Sequence, residues 1–220
     1  MALNTVIFDI DGLLIDSEPV WNKAAEVTLK HYGIVLTAEQ YLSTTGLRTK
    51  EWIDWWFNYF NIDANEKLNG EKMIVDWVLN HVETDAAVMP GVHYIINFFH
   101  ERNFKIGLAT SSPVALIDIV LKMTGIGPYL SATASAEDLT YGKPHPQVYL
   151  DCAAKMNAVA TDCLCFEDSF NGMLAAKSAR MKCVVVPHPH QLKEEKWGAA
   201  DFKLSSLQNF SDLHFRHLQF

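Results

Sequence analysis

From residue 91 onward, short apolar runs alternate with segments of helical periodicity, and that alternation leaves the chain very few ways to fold. KIGLAT (105–110), CLCFED (163–168) and KCVVVP (182–187) read as buried strands, with SATAS (131–135) and ADFKLSSL (200–207) as weaker ones. Between them, Val92, Ile95, Ile96 and Phe99, then Leu116, Ile119, Val120 and Met123, then Val148, Cys152 and Ala153 recur at spacings of three or four. Strands separated by helices pair in parallel, because the crossover returns the chain to the same edge. NTVIFDI (4–10) supplies one more strand at the start of the chain.

The predicted fold class is therefore α/β, a doubly wound parallel sheet with a Rossmann-like core. Residues 16–87 break the pattern, since they contain no strand-like run and read as wholly helical. Ser17 with Pro19 starts a helix and Gly33 stops it. Trp52, Trp55, Trp56, Tyr59 and Phe60 form an aromatic stripe on a second helix, expected to be the core of a small helical unit. EKMIVDWVLNHV (71–82) is a further helix, and MPGV (89–92) returns the chain to the sheet. The expected organisation is a catalytic core of residues 1–15 and 88–220 with an inserted small all-helical cap domain at 16–87, the crossings near 14–17 and 86–90 acting as hinges.

A net charge of -8 and a sequence pI of about 5.5 oppose a nucleic-acid partner, which needs a clustered basic face. No apolar stretch reaches bilayer length and the N-terminus lacks secretory-signal character, so no membrane partner and a cytoplasmic location are expected. Cys152, Cys163, Cys165 and Cys183 lack metal-type spacing and read as small buried hydrophobes.

In open α/β sheets the ligand crevice lies beyond the carboxyl ends of the strands. There the sequence places Asp9 and Asp11, Thr110 and Ser111, Glu167 and Asp168, with Lys143 in a loop before a helix. Each alone has a bland reading as a cap, turn or solvated charge. Gathered at one rim, they suit phosphoryl transfer. Crowded carboxylates need a hard cation between them, and Mg2+ takes oxygen ligands, here from Asp9, Asp11, Glu167 and Asp168, with Asp9 and Asp168 the natural side-chain pair. Asp9 is the candidate nucleophile for an aspartyl phosphate, and Asp11 the candidate acid and base for the leaving alcohol and the incoming water. Thr110 would hold phosphoryl oxygens, and Lys143 would neutralise charge the metal does not reach.

DIDGLLIDSE (9–18), ATSS (109–112), GKPHPQVY (142–149) and FEDSFNG (166–172) resemble, in order, the four signatures of the haloacid dehalogenase superfamily. The helical insertion is similar to the cap of its β-phosphoglucomutase-like subgroup. Within that subgroup GLLIDSEP, TGLR, LTYGKPHPQVYLDCAAK and ARMKCVVVP look like the bacterial hexitol and 2-deoxyglucose-6-phosphate phosphatases. The resemblance implies a sugar phosphatase with Asp9 as nucleophile, Asp11 as acid and base, Mg2+ on Asp9, the Asp11 carbonyl and Asp168, phosphate on Thr110, Ser111 and Lys143, and Arg48 of TGLR reaching the substrate. A monomeric enzyme is expected. Members acting as mutases carry a histidine where this chain has Trp21, which favours hydrolysis over the alternative of a phosphosugar mutase. A non-enzymatic receiver-like phospho-acceptor domain is the other alternative, but it has no use for Asp11 or a helical cap. His145, His188 and His190 read as capping or surface residues.

Overall fold

The computed structural model describes residues 3–44 and 47–219, so Thr45 and Gly46 of TGLR, like Met1 and Ala2, lie outside the described residues. β1 (Thr5–Phe8) is buried along its whole length and sits at the centre of the sheet. It pairs in parallel with β2 (Lys105–Thr110) on one side and with β4 (Cys163–Glu167) on the other. β3 (Ala132–Ser135) extends the sheet beyond β2, while β5 (Lys182–Val185) and β6 (Phe202–Lys203) extend it beyond β4. The order β3-β2-β1-β4-β5-β6 reverses direction at β1, and all pairs are parallel. All six expected strands are present.

Because side chains alternate across a strand, the two faces of β1 and β4 feed two cores. Val6, Phe8, Leu164 and Phe166 enter one, with α5 (Val92–His100) and α6 (Val114–Thr124). Ile7, Cys163 and Cys165 enter the other, with α7 (Gln147–Lys155) and α8 (Phe170–Ser178). In the first, Phe8 stacks on Phe166 at 5.0 Å, and Phe99 and Phe210 close around the pair. All four cysteines are buried and free. Burial pushes the Cys152 thiol up to about 12, which keeps it an inert hydrophobe.

Between β1 and α5 the chain forms α1 (Glu18–His31), α2 (Ala38–Ser43), α3 (Thr49–Tyr59) and α4 (Lys67–Asp85). Ser17 and Pro19 do start α1, and Gly33 follows its end with φ of +72°. α2 carries too little apolar periodicity to stand out in the sequence, and its Thr37 and Gln40 capping box holds its start. α1 and α3 both pack on α4. The aromatic stripe of α3 divides: Trp52 and Trp56 are buried, with Ile53 and Phe57 beside them, and Phe60 packs against this core as expected, whereas Trp55 and Tyr59 are exposed and correct the expectation of a single core row. Gly70 of α4 lets the two helices approach closely at this face, since a Cβ there would come within 2.6 Å of Phe57.

The crossings into and out of these helices are joined to each other. Ile15 bridges Val88, the Asp16 N–H donates to the Ala87 carbonyl at 2.8 Å and the Met89 N–H donates to the Leu14 carbonyl at 2.9 Å. No helix among the described residues is long and apolar enough to cross a membrane. Truncating the stacked ring in Phe166→Ala should cost about 3–5 kcal/mol. Urea unfolding checks this, and a loss below 1 kcal/mol would show that β1 and β4 are held by something other than this cluster.

Candidate active site

The residues that end β1, β2 and β4 meet where the strand order reverses, the place at which doubly wound sheets form their crevice. Asp9 and Asp11 follow β1, Thr110, Ser111 and Ser112 end and follow β2, and Glu167 and Asp168 end and follow β4. Lys143 comes from the long loop between β3 and α7. A cavity is lined by Asp9, Asp11, Thr110, Ser111, Lys143 and Asp168, and its other wall is the helical insertion. The sequence-predicted residues are thus brought together, Glu167 lying beneath the cavity, wholly buried.

Lys143 is the centre of this arrangement. Its Nζ donates to Asp9 Oδ1 and Glu167 Oε1, both at 2.6 Å, and to the Ala109 carbonyl at 3.1 Å. Burial alone would lower its pKa, but Asp9 and Glu167 reverse that and hold it protonated above its ordinary value. Tyr149 presents its ring 4.9 Å from Nζ and donates its hydroxyl to Glu167 Oε1 at 2.5 Å.

The other Glu167 oxygen accepts from the backbone N–H groups of Asp168 and Ser169 and from the Ser169 hydroxyl. Gly172 is required beneath it, since a Cβ there would lie 1.8 Å from the carboxylate. Glu167 lies in one acidic cluster with Asp9 and Asp168, whose ligand atoms fall within 4.8 Å of one another. Both of its oxygens already serve protein donors, however, so its geometry fits the support of Lys143 better than the metal ligation expected of it.

Asp9 and Asp168 fit a hard divalent cation. Burial, chiefly, pushes Asp9 up to about 7 against the opposing pull of Lys143, with Glu167 and Asp11 adding to the rise. Burial, then Glu167 and Asp9, likewise raise Asp168 well above the usual carboxylate range. A divalent cation between two such oxygens would favour their charged forms and oppose the rise that burial causes. Gly12, at φ +71°, keeps this place open, because a Cβ there would sit 2.2 Å from Asp168 Oδ2.

Asp11 is held by three donors. Ser17 Oγ at 2.6 Å and Trp21 Nε1 at 2.7 Å reach Oδ1, and Ser112 Oγ at 2.5 Å reaches Oδ2. The Ser112 N–H also donates to Thr110 Oγ1 at 3.0 Å, whereas the Ser111 hydroxyl is buried without a partner among the described residues. Ser17, expected only as a helix start, and Ser112 and Tyr149 had no site role in the sequence. The signal for Ser112 was strand alternation, which puts it on the side of Thr110 rather than Ser111.

Arg48 lines the cavity but is 6% exposed and gripped by the core. Its guanidinium donates to the carbonyls of Ala136 at 2.8 Å, Thr140 at 3.3 Å and Leu139, while Nε is buried with no partner among the described residues. Glu51, one turn on, accepts from the Gly142 N–H at 2.8 Å. The insertion therefore clasps the loop that delivers Lys143. Trp52 also lines the cavity, so one member of the aromatic stripe faces the ligand space. His145 accepts from the Gln147 N–H at the start of α7, a capping role, and His188 borders a second, polar cavity beside Asp168.

A parallel sheet carrying an aspartate pair, a strand-end Thr/Ser, a buried lysine and an acidic cluster at its switch point defines an α/β phosphoryl-transfer enzyme. The chain belongs to the haloacid dehalogenase-like hydrolases, whose family pattern matches residues 6–186, and it is a phosphoric monoester hydrolase. Hexitol phosphatase B of Escherichia coli K12 is 39% identical over 202 residues, covering 91% of each chain. The fructose-1-phosphate phosphatase of the same strain is 30% identical over 189 residues, covering 82% of this chain and 95% of that one. Among solved structures, β-phosphoglucomutase from Clostridium difficile superposes with a TM-score of 0.86 at 23% identity, over 99% of this chain and 97% of that one, a likeness of fold.

Removing the buried cation leaves two carboxylates facing each other. Lys143→Met should cost about 3–5 kcal/mol at pH 7.5 in chelator. The loss should shrink as pH falls from the alkaline side toward 7 and level off below it, because Asp9, raised to about 7 even against the pull of Lys143, is raised further once that pull is gone and takes up a proton earlier than in the wild type. Urea unfolding across pH checks this, and a loss independent of pH would contradict it.

Proposed function

We propose that the chain is a magnesium-dependent phosphatase of small sugar phosphates, of the hexose, hexitol and 2-deoxyglucose 6-phosphate class, working through an aspartyl phosphate on Asp9. The observation that carries this is Asp9 itself: at the floor of the cavity, one oxygen bound to Lys143, facing a wall of helices across a space for a small molecule. The names of the two Escherichia coli relatives support the substrate class.

Mg2+ on Asp9, Asp168 and the Asp11 carbonyl would keep Asp9 ionised and offset charge on the phosphoryl oxygens. Lys143 fixes Asp9 Oδ1, leaving the second oxygen to attack phosphorus in line with the departing alcohol. The Thr110 hydroxyl and the unpartnered Ser111 hydroxyl bind phosphoryl oxygens, and Lys143 supplies a fixed positive charge beside the developing one. Asp11 gives a proton to the sugar oxygen and later takes one from water.

Residues 16–87 act as a cap over residues 1–15 and 88–220, moving on the paired crossings at Leu14–Asp16 and Ala87–Met89. The clasp of Arg48 and Glu51 on the 136–142 loop holds the cap closed, and the Arg48 Nε is the group left for substrate. Trp21, in the place of the mutases' histidine, supports water as final acceptor.

The test is phosphate release from a panel of hexose, pentose and hexitol phosphates with Mg2+ and with chelator. Hexose or hexitol phosphates should lead, chelator should abolish turnover, and Asp9→Asn should lose at least about 10³-fold in kcat, as expected for loss of the nucleophile. Substantial activity in Asp9→Asn, or in chelator, would refute the assignment.

A further inference from the structure

Trp21 does more than stand where a mutase histidine would. It lies on α1 of the helical insertion, lines the cavity, and reaches across to Asp11 in the core. Its indole N–H and the Ser17 hydroxyl share Asp11 Oδ1, while among the described residues the Ser112 hydroxyl alone meets Oδ2. These donors are not equivalent. A hydroxyl can rotate to accept a hydrogen bond, whereas an indole N–H only donates.

An acid proton on Oδ1 would therefore compete with a donor that has no way to accept it. A proton on Oδ2 meets, among the described residues, only Ser112, whose hydroxyl can turn aside. We propose that Trp21 is a positioning residue for proton transfer: it reserves Asp11 Oδ1 as an acceptor and confines the transferable proton to Oδ2. This rests on Asp11 being the acid and base proposed above.

The proton then has one path. As the bond from Asp9 oxygen to phosphorus forms and the bond from phosphorus to sugar oxygen breaks, the Oδ2 proton passes to the sugar oxygen and a neutral alcohol leaves. In the second step Oδ2 takes a proton from water as the water oxygen bonds to phosphorus and the Asp9 ester breaks. Each turnover returns the proton to the same oxygen. Oδ1 stays bound to α1 throughout, so the carboxylate does not rotate between its two duties.

Leaving groups that need a proton separate this role from mere packing. The first-turnover rate of alcohol or phenol release is measured with Mg2+ on glucitol 6-phosphate, whose alkoxide needs protonation, and on p-nitrophenyl phosphate, whose phenolate does not. Asp11→Asn should lose about 10²-fold or more on the first and far less on the second. Trp21→Phe should follow the same pattern more weakly, losing about tenfold on the alkyl phosphate and under about threefold on the aryl one. Incorporating 3-benzothienylalanine at position 21 keeps the indole shape without the N–H, and it should reproduce that selectivity even where the smaller phenyl ring disturbs folding. Equal losses on both substrates, or none, with Asp11→Asn still selective would overturn the role of Trp21 alone. An unselective Asp11→Asn would overturn the reading of Asp11 and this inference with it.

Discussion

One buried ammonium allows the rest of the site to exist. In a chain of net charge -8, Asp9, Asp11, Glu167 and Asp168 converge on one crevice, and without a compensating charge their burial would cost several kcal/mol each. Lys143, 2% exposed, settles between Asp9 and Glu167 at 2.6 Å from each and adds a backbone carbonyl as third acceptor. Those partners belong to the ends of three adjacent strands. The charge thus joins β1, β2 and β4 at the rim, as the Phe8 and Phe166 stack joins β1 and β4 lower down.

The carboxylates divide their work by their surroundings. Glu167 is saturated by Tyr149, Lys143, Ser169 and two backbone N–H groups, and so acts as a fixed counter-charge. Asp9 and Asp168 are pushed toward protonation by burial and are the pair that gains most from a divalent cation. Asp11 is wired to the helical insertion through Ser17 and Trp21 instead. The insertion contributes twice, through that contact and through the grip of Arg48 and Glu51 on the loop carrying Lys143.

Much of this was legible in the sequence, because strand periodicity and strand-end chemistry are local. Asp9, Asp11, Thr110, Ser111, Glu167 and Asp168 each follow or end an apolar run, and the runs announce themselves. The four signatures in order pointed to the family before any geometry. What sequence could not supply is who partners whom. Nothing local says that Glu167 would be consumed by Tyr149 and Lys143, or that the Trp21 indole would meet an aspartate ten residues earlier. The aromatic row of α3 was misjudged for the same reason: helical spacing shows that residues share a stripe, not how far a neighbouring helix covers it. Trp55 and Tyr59 are left exposed, and Trp52, though buried, also lines the cavity.

In the proposed reaction a carboxylate oxygen of Asp9 accepts the phosphoryl group. The most direct measurement is acid quenching of the enzyme within its first turnover of a sugar phosphate, followed by mass mapping of its peptides. The account predicts that the mass of one phosphoryl group appears on the peptide containing Asp9, and that Asp9→Asn abolishes it. Phosphate found on another residue, or turnover that proceeds with none of the chain ever modified, would contradict it.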